Sequence, residues 1–450
     1  MNNWSQKTRQ MSRKLFGTDG IRGKAGDAPL DRRHAFALGV ALAEWIHERE
    51  LHPGVVIGMD TRESGPWLAA SVAGGLKSKQ VQVDFAGIVT TPGVAFLART
   101  GDYAAGVMIS ASHNPFQDNG IKVIDHSGYK MPDAEELNLE AAMFRWIGSG
   151  AEPGEAILTI DEDLDRKYIL FLESTFQERL DGMRIVVDCA NGAASRLAPV
   201  LFHELGAEVI AMGCAPDGRN INLNCGSLHL EGLRERVLAE KADLGIAFDG
   251  DADRALFVAG SGKLVDGDAV MLVTGVAMKV SKVVATVMSN LGLERALAAH
   301  GIGMVRAAVG DKYVIEEMIK RDLPLGGEQS GHIIFREFGT TGDGMLTALR
   351  VLSVIRQSGK TLDELTEALT VYPQILVNVR VKERKPLTDL PAVRESIRDA
   401  EQAFGDDGRV LVRFSGTEPL ARVMIEGAEK SMVDDWAHKI ANTIRQELGG

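Results

Sequence analysis

Three times in the first 300 residues a short apolar run ends in a polar loop and is followed by a helical stretch. Val55-Val56-Ile57-Gly58-Met59 runs into Asp60-Thr61-Arg62-Glu63-Ser64-Gly65, then a helical stretch over 66–79 and a second apolar run from Val81 to Phe85. Arg184-Ile185-Val186-Val187-Asp188 leads into Asn191-Gly192 and a helix towards Leu205. Val283 to Met288 leads into Ser289-Asn290 and a helix towards His300. Runs this short and this apolar are strands covered on both faces, and helices supply the cover. The pattern predicts an α/β fold with largely parallel sheets, repeated as three similar domains.

From residue 375 the pattern changes. Val377, Val379 and Val381 alternate with Asn378, Arg380 and Lys382, the mark of a half-buried antiparallel strand. A helix over 391–404, two strands over 409–414 and 421–427, and a helix over 431–448 complete a small α+β domain. Four domains are expected: 1–155, 156–260, 261–372 and 373–450. With 450 residues, the chain is too long for one ordinary core, since domains average about 150 residues.

Composition narrows the function. Fifty Lys and Arg against 62 Asp and Glu leave a net charge of −12, which argues against nucleic acid or anionic membrane as a partner. Cys189, Cys214 and Cys225 show no C-x-x-C spacing, so neither a disulfide framework nor a zinc site is expected, and a reducing cytoplasm is. Residues 1–14 are polar and basic with no apolar stretch of a secretory signal. Glycine numbers 49, against about 32 for an average chain of this length. No linker run or collagen period absorbs the surplus, so it is expected in turns and close-approach loops.

Four loops could carry chemistry. Asp249-Gly250-Asp251-Ala252-Asp253-Arg254 follows an apolar run, Leu244 to Phe248. Carboxylates at alternate positions converge on one hard cation, and oxygen ligands suit Mg²⁺ or Ca²⁺. An EF-hand is excluded because Arg254 stands where that loop needs Gly and Gly260 where it needs Glu. Val107 to Pro115 is a strand that ends in Ser110-Ala111-Ser112-His113-Asn114-Pro115, presenting Ser112 where α/β sheets bind ligands. No G-x-S-x-G elbow accompanies it, so a hydrolase triad lacks support. Gly326-Gly327-Glu328-Gln329-Ser330-Gly331-His332 offers a carboxylate and a hydroxyl to adjacent sugar hydroxyls. Arg413-Phe414-Ser415-Gly416-Thr417-Glu418-Pro419 offers arginine, hydroxyls and exposed N–H groups to a phosphate. Arg22 in Phe16-Gly17-Thr18-Asp19-Gly20-Ile21-Arg22-Gly23 and Lys122 in Asn119-Gly120-Ile121-Lys122 sit in two further glycine-bearing loops.

Each of the four stronger loops falls in a different expected domain. Together they describe phosphoryl transfer to and from a phosphorylated sugar. A phosphoserine brings negative charge and oxygen ligands, and a dication held by the aspartates neutralises it.

These motifs resemble the α-D-phosphohexomutase superfamily along essentially the whole chain. The stretch 16–23 and Gly327-Glu328-Gln329-Ser330-Gly331-His332 resemble the branch that acts on glucosamine phosphates, since other branches more often carry Met where Gln329 stands. The resemblance implies four domains around one central cleft, the first three similar mixed α/β/α-layer domains and the last α+β. It implies Ser112 as the phosphorylated serine, with Asp249, Asp251, Asp253 and that serine as Mg²⁺ ligands. It implies Glu328 and Ser330 on the sugar, and Arg413, Ser415, Gly416 and Thr417 on the distal phosphate. Arg22, Lys122, Arg254 and His332 match positions that line the reaction centre. Lys122 is expected as general base, which requires a lowered pKa, with His332 or Arg22 assisting. The departures are Ala252 for a frequent Gly, Phe414 at a variable position, and the apolar Leu228 and Leu230; none is a ligand side chain.

The implied reaction interconverts glucosamine 6-phosphate and glucosamine 1-phosphate through a sugar 1,6-bisphosphate, for UDP-N-acetylglucosamine synthesis. The alternatives are a phosphomannomutase or phosphoglucomutase of the same mechanism and a non-catalytic sugar-phosphate sensor. The expected partner is a small phosphosugar, with no nucleic acid and no membrane; a homodimer stays open. Arg22, Lys122, Arg254 and Arg413 are expected to make a locally positive pocket inside an acidic protein.

Overall fold

The computed structural model describes residues 14–449 except 384, 387–388 and 415–418. Among these residues the chain falls into two compact units, 14–287 with 305–366, and 288–304 with 367–449.

Three sheets follow one plan. In the first, strand Gly54–Met59 lies between Gln82–Ile88 and Ala105–Ile109, parallel to both. Asp118–Asp125 returns antiparallel to Ala105–Ile109, and Ile21–Lys24 closes the edge antiparallel to it. In the second, Arg184–Asp188 lies between its parallel neighbours Glu208–Met212 and Leu244–Phe248. Ala255–Ala259 and Leu264–Val265 follow as antiparallel strands. In the third, Lys282–Thr286 neighbours Gly303–Ala307 and Leu325–Gly327, and Ile333–Phe335 runs antiparallel to the latter. The repetition expected from the apolar runs is therefore a repeated strand order. The expectation of largely parallel sheets needs one amendment, an antiparallel return in each.

That return positions the chemistry. The third strand in chain order within each parallel group is Ala105–Ile109, Leu244–Phe248 or Leu325–Gly327, and each feeds a tight loop before the antiparallel strand. Those loops carry Ser112, the three aspartates, and Glu328 with His332. Three of the four singled-out loops thus occupy equivalent places in three repeated sheets.

The first domain buries Val55, Ile57, Val107 and Ile109 beneath helices Arg32–Glu48 and Gly65–Ser78. Those helices touch through glycine. A Cβ on Gly39 would lie 2.1 Å from the Val72 carbonyl, and one on Gly75 would lie 2.2 Å from that of Phe36. Part of the glycine surplus therefore serves helix packing, not ligand loops.

The second unit is built on an antiparallel sheet in which Leu420–Gly427 lies between Gln374–Arg380 and Gly408–Phe414. Helices Pro391–Phe404 and Lys430–Leu448 cover it and share a core of Val393, Ala400, Val423, Ile425 and Ile440. Helix Leu291–Ala299 belongs to the same unit, and Arg295 bonds there to Tyr372 and Asp407.

Candidate active site

Ser112 is almost fully buried, 1% exposed, and turned inward. Its Oγ donates to Asp249 Oδ2 at 2.6 Å and lies 3.4 Å from His113 Nδ1. The serine and the aspartate are 137 residues apart and come from different sheets.

Asp249, Asp251 and Asp253 are all buried, and each offers an oxygen within 4.8 Å of the others. Asp249 Oδ1 also accepts from the Arg254 backbone at 3.2 Å. Asp251 Oδ2 accepts from Thr91 Oγ1 at 2.5 Å and Lys122 Nζ at 2.8 Å. The Oδ1 atoms of Asp251 and Asp253 are buried with no hydrogen-bond partner. Burial, and repulsion from Asp253 and Asp251, push Asp249 up to about 8. Burial opposes ionisation of Asp253 as well, but His332 and Lys122 hold it well below the usual carboxylate range. Two orphaned carboxylate oxygens and a carboxyl forced towards its neutral form fit a hard dication bound by the triad.

Lys122 lies on strand Asp118–Asp125, 1% exposed. Its ammonium reaches Asp251, Asp19 at 3.2 Å and Asp253 at 3.7 Å. Burial alone would depress its pKa, but the three carboxylates raise it above the ordinary lysine value. The lowered pKa expected of a lysine base is therefore not found in this arrangement. The cause is the number of carboxylates that converge on one ammonium.

Beside this cluster lies a cavity of about 380 Å³. Arg22, Arg254 and Lys130 line it, but so do Asp19, Asp253, Asp311 and Glu328, with His113 and His332. The expectation of a locally positive pocket is corrected: acids interleave with the bases. Arg22 pairs with Asp19, and Lys130 pairs with Asp19 and, at 2.5 Å, with Asp311. Burial pulls His113 down to about 4, with Arg254 and Arg22 adding to the effect, so it is neutral near pH 7. His332 Nε2 accepts from the Gly342 backbone at 2.9 Å, and its Nδ1 faces Asp253 at 3.6 Å. Glu328 Oε1 accepts from the Gly310 backbone at 3.1 Å. Ser330 does not line the cavity, and its Oγ is buried without a partner.

Arg413 lies in the second unit, on strand Gly408–Phe414, directly across from Arg422. Burial and the facing guanidinium draw Arg413 below the usual arginine value. Like charges opposite each other in a ladder are unfavourable. Ser415, Gly416 and Thr417 lie outside the described residues.

Sequence reasoning missed Thr91, Asp19, Lys130, Asp311 and Arg422. Arg422 was within reach, because pairing the two expected strands at 409–414 and 421–427 sets it opposite Arg413. Thr91 was not, since its partner lies 160 residues away.

Sequence profiles of the phosphoglucomutase/phosphomannomutase family match in chain order: alpha/beta/alpha domain I over 13–147, domain II over 156–262, domain III over 266–372 and the C-terminal domain over 376–443. The chain belongs to the phosphoglucomutase/phosphomannomutase family. Within it, full-length relatives include proteins named phosphoglucosamine mutase. That of Solibacter usitatus is 58% identical, covering 98% of this chain and 100% of its own. That of Geobacter metallireducens is 48% identical over 97% and 100%. Among solved structures, a phosphoglucomutase/phosphomannomutase family protein from Burkholderia thailandensis shares the fold with a TM-score of 0.80 at 23% identity, over 96% and 97% of the two chains. An Aspergillus fumigatus N-acetylphosphoglucosamine mutase, solved with GlcNAc-6P and magnesium, does so with 0.62 at 19%, over 97% and 96%.

Proposed function

We infer that the protein is an isomerase that interconverts glucosamine 6-phosphate and glucosamine 1-phosphate by phosphoryl transfer through Ser112. The observation that carries the mechanism is the 2.6 Å contact between Ser112 Oγ and Asp249 within a buried aspartate triad. The amino-sugar preference is supported by the phosphoglucosamine mutase relatives.

The cycle starts from phosphorylated Ser112. A sugar hydroxyl attacks the phosphorus, the serine P–O bond breaks, and the hydroxyl proton leaves to a base. The resulting 1,6-bisphosphate turns end over end, and its other phosphate returns to Ser112. Asp249, Asp251, Asp253 and a phosphoserine oxygen would hold Mg²⁺, which when bound neutralises charge on the transferring group. Arg22 and Arg254 steady phosphate oxygens, and Glu328 grips the sugar; Ser330, with its Oγ buried outside the cavity, joins it only if its loop turns. Arg413, Ser415, Gly416 and Thr417 take the distal phosphate. Lys122 can act as base only when Asp19, Asp251 and Asp253 no longer all hold its proton, and a dication bound by the triad would release it from part of that hold; His332 assists.

The product class feeds UDP-N-acetylglucosamine synthesis, in a reducing cytoplasm, with a homodimer left open. No helix of the described residues is long and apolar enough to cross a membrane. Coupled assays on glucosamine 1-phosphate, mannose 1-phosphate and glucose 1-phosphate test the reading. Preference for glucosamine 1-phosphate is expected; preference for mannose or glucose overturns it in favour of the sister activities.

A further inference from the structure

Ser112 has a left-handed backbone, φ +53°, which a residue with a Cβ keeps only where its surroundings enforce it. Two buried side chains from different domains do so. Arg62, in the loop after strand Gly54–Met59, donates from Nη2 to the Ser112 carbonyl at 3.0 Å and to the Asn114 carbonyl at 2.5 Å. Asn222, in the second domain, donates from Nδ2 to the same two carbonyls at 3.0 and 3.1 Å. Both donors are themselves fixed. Asp60 pairs with Arg62 inside the protein, and the Asn222 backbone donates to the Ala190 carbonyl at 2.8 Å. Gly250 closes the arrangement, since a Cβ there would lie 2.5 Å from the Ser112 carbonyl.

We propose that Arg62 and Asn222 are positioning residues for phosphoryl transfer, a clamp from two domains that aims Ser112 Oγ at the aspartate triad. Neither reaches a reacting atom. Both act through the carbonyls at 112 and 114, so the reactive geometry exists only while the first two domains are docked. The proposal rests on the assignment of Ser112 as the transferring residue.

Asn222 is also left-handed, φ +59°, so Asn222→Gly removes the amide and leaves the backbone unstrained. Asn222→Asp keeps the shape and sets an acceptor against two carbonyls. The expected result is a loss in kcat of about 10- to 100-fold for Asn222→Gly, greater for Asn222→Asp, with KM for the sugar phosphate within about twofold of the parent. Single-turnover transfer from ³²P-labelled phosphoserine to the sugar falls by the same factor. Arg62→Lys, which keeps the charge beside Asp60 but spans one carbonyl, loses part of kcat. Unchanged kcat in folded Asn222→Gly, a loss carried by KM, or failure of both Asn222 variants to fold overturns the proposal. The assay uses whichever hexose phosphate the parent turns over. A parent that prefers another sugar therefore refutes the amino-sugar reading and leaves the clamp to its own result.

Discussion

Asp343 is the N-cap of helix Gly344–Ser358, accepting from the Leu346 backbone at 3.0 Å, and it also accepts from the Tyr168 hydroxyl at 2.8 Å. Burial raises its pKa to about 6, against about 3.9 in an unfolded chain. The folded state binds this proton more tightly, so its contribution to stability is full below pH ~4 and is lost as pH rises towards ~6, on the order of 3 kcal/mol. Denaturant titrations across that window should show the slope, and Asp343→Asn, which keeps a capping oxygen, should flatten it. For Ser112→Ala we expect loss of phosphate from the peptide containing residue 112 and a fall in turnover of about 1,000-fold or more, measured by mass spectrometry and coupled assay. Full activity of unphosphorylated wild type without added bisphosphate would remove Ser112 from the mechanism. At this scale the sequence revealed residue identity better than residue state. Lys122 and His332 were singled out from motif positions, but the charge state of Lys122 depends on Asp19, 103 positions earlier, and on the triad. Arg62 lies in the polar loop after the first apolar run, where nothing local marks the carbonyls of residues 112 and 114 as its partners.

Most of the elements were legible because their patterns are local. The helix over 391–404 is observed as Pro391–Phe404, and the strand over 409–414 as Gly408–Phe414. The antiparallel returns were harder to read, since a fully buried run looks the same in either direction. Glycine misled in a specific way. A helical glycine reads as a weak point, yet Gly39 and Gly75 allow the helices Arg32–Glu48 and Gly65–Ser78 to meet backbone to backbone. Gly39→Ala should therefore destabilise by about 1–3 kcal/mol despite alanine's better helix propensity. A variant as stable as the parent in urea unfolding would show that the helices separate at little cost.

For the whole molecule, the net charge of −12 argued against polyanion partners but gave no access to the local field. That field is a mosaic in which Arg22, Lys130 and Arg254 alternate with Asp19, Asp311 and Glu328. The acidic triad couples the site to global stability, because buried like charges that gain a cation favour the folded state. Chelation should abolish turnover and lower Tm, and Mg²⁺ should restore both; Asp251→Asn should blunt the Tm response. A Tm indifferent to Mg²⁺ would mean that the triad is neutralised by its lysine and arginine neighbours alone.

Thr91 of the first domain holds the aspartate loop of the second through Asp251, at 2.5 Å. Asn222 of the second holds the serine loop of the first. This reciprocity sets what can be exchanged between related enzymes. A chimaera joined near residue 155 would inherit a serine loop from one parent and its restraint from the other. The serine loop and the aspartate loop are therefore best exchanged together, and the third domain with them, since Asp343 accepts from Tyr168 and the Gly331 carbonyl accepts from the Ala255 backbone.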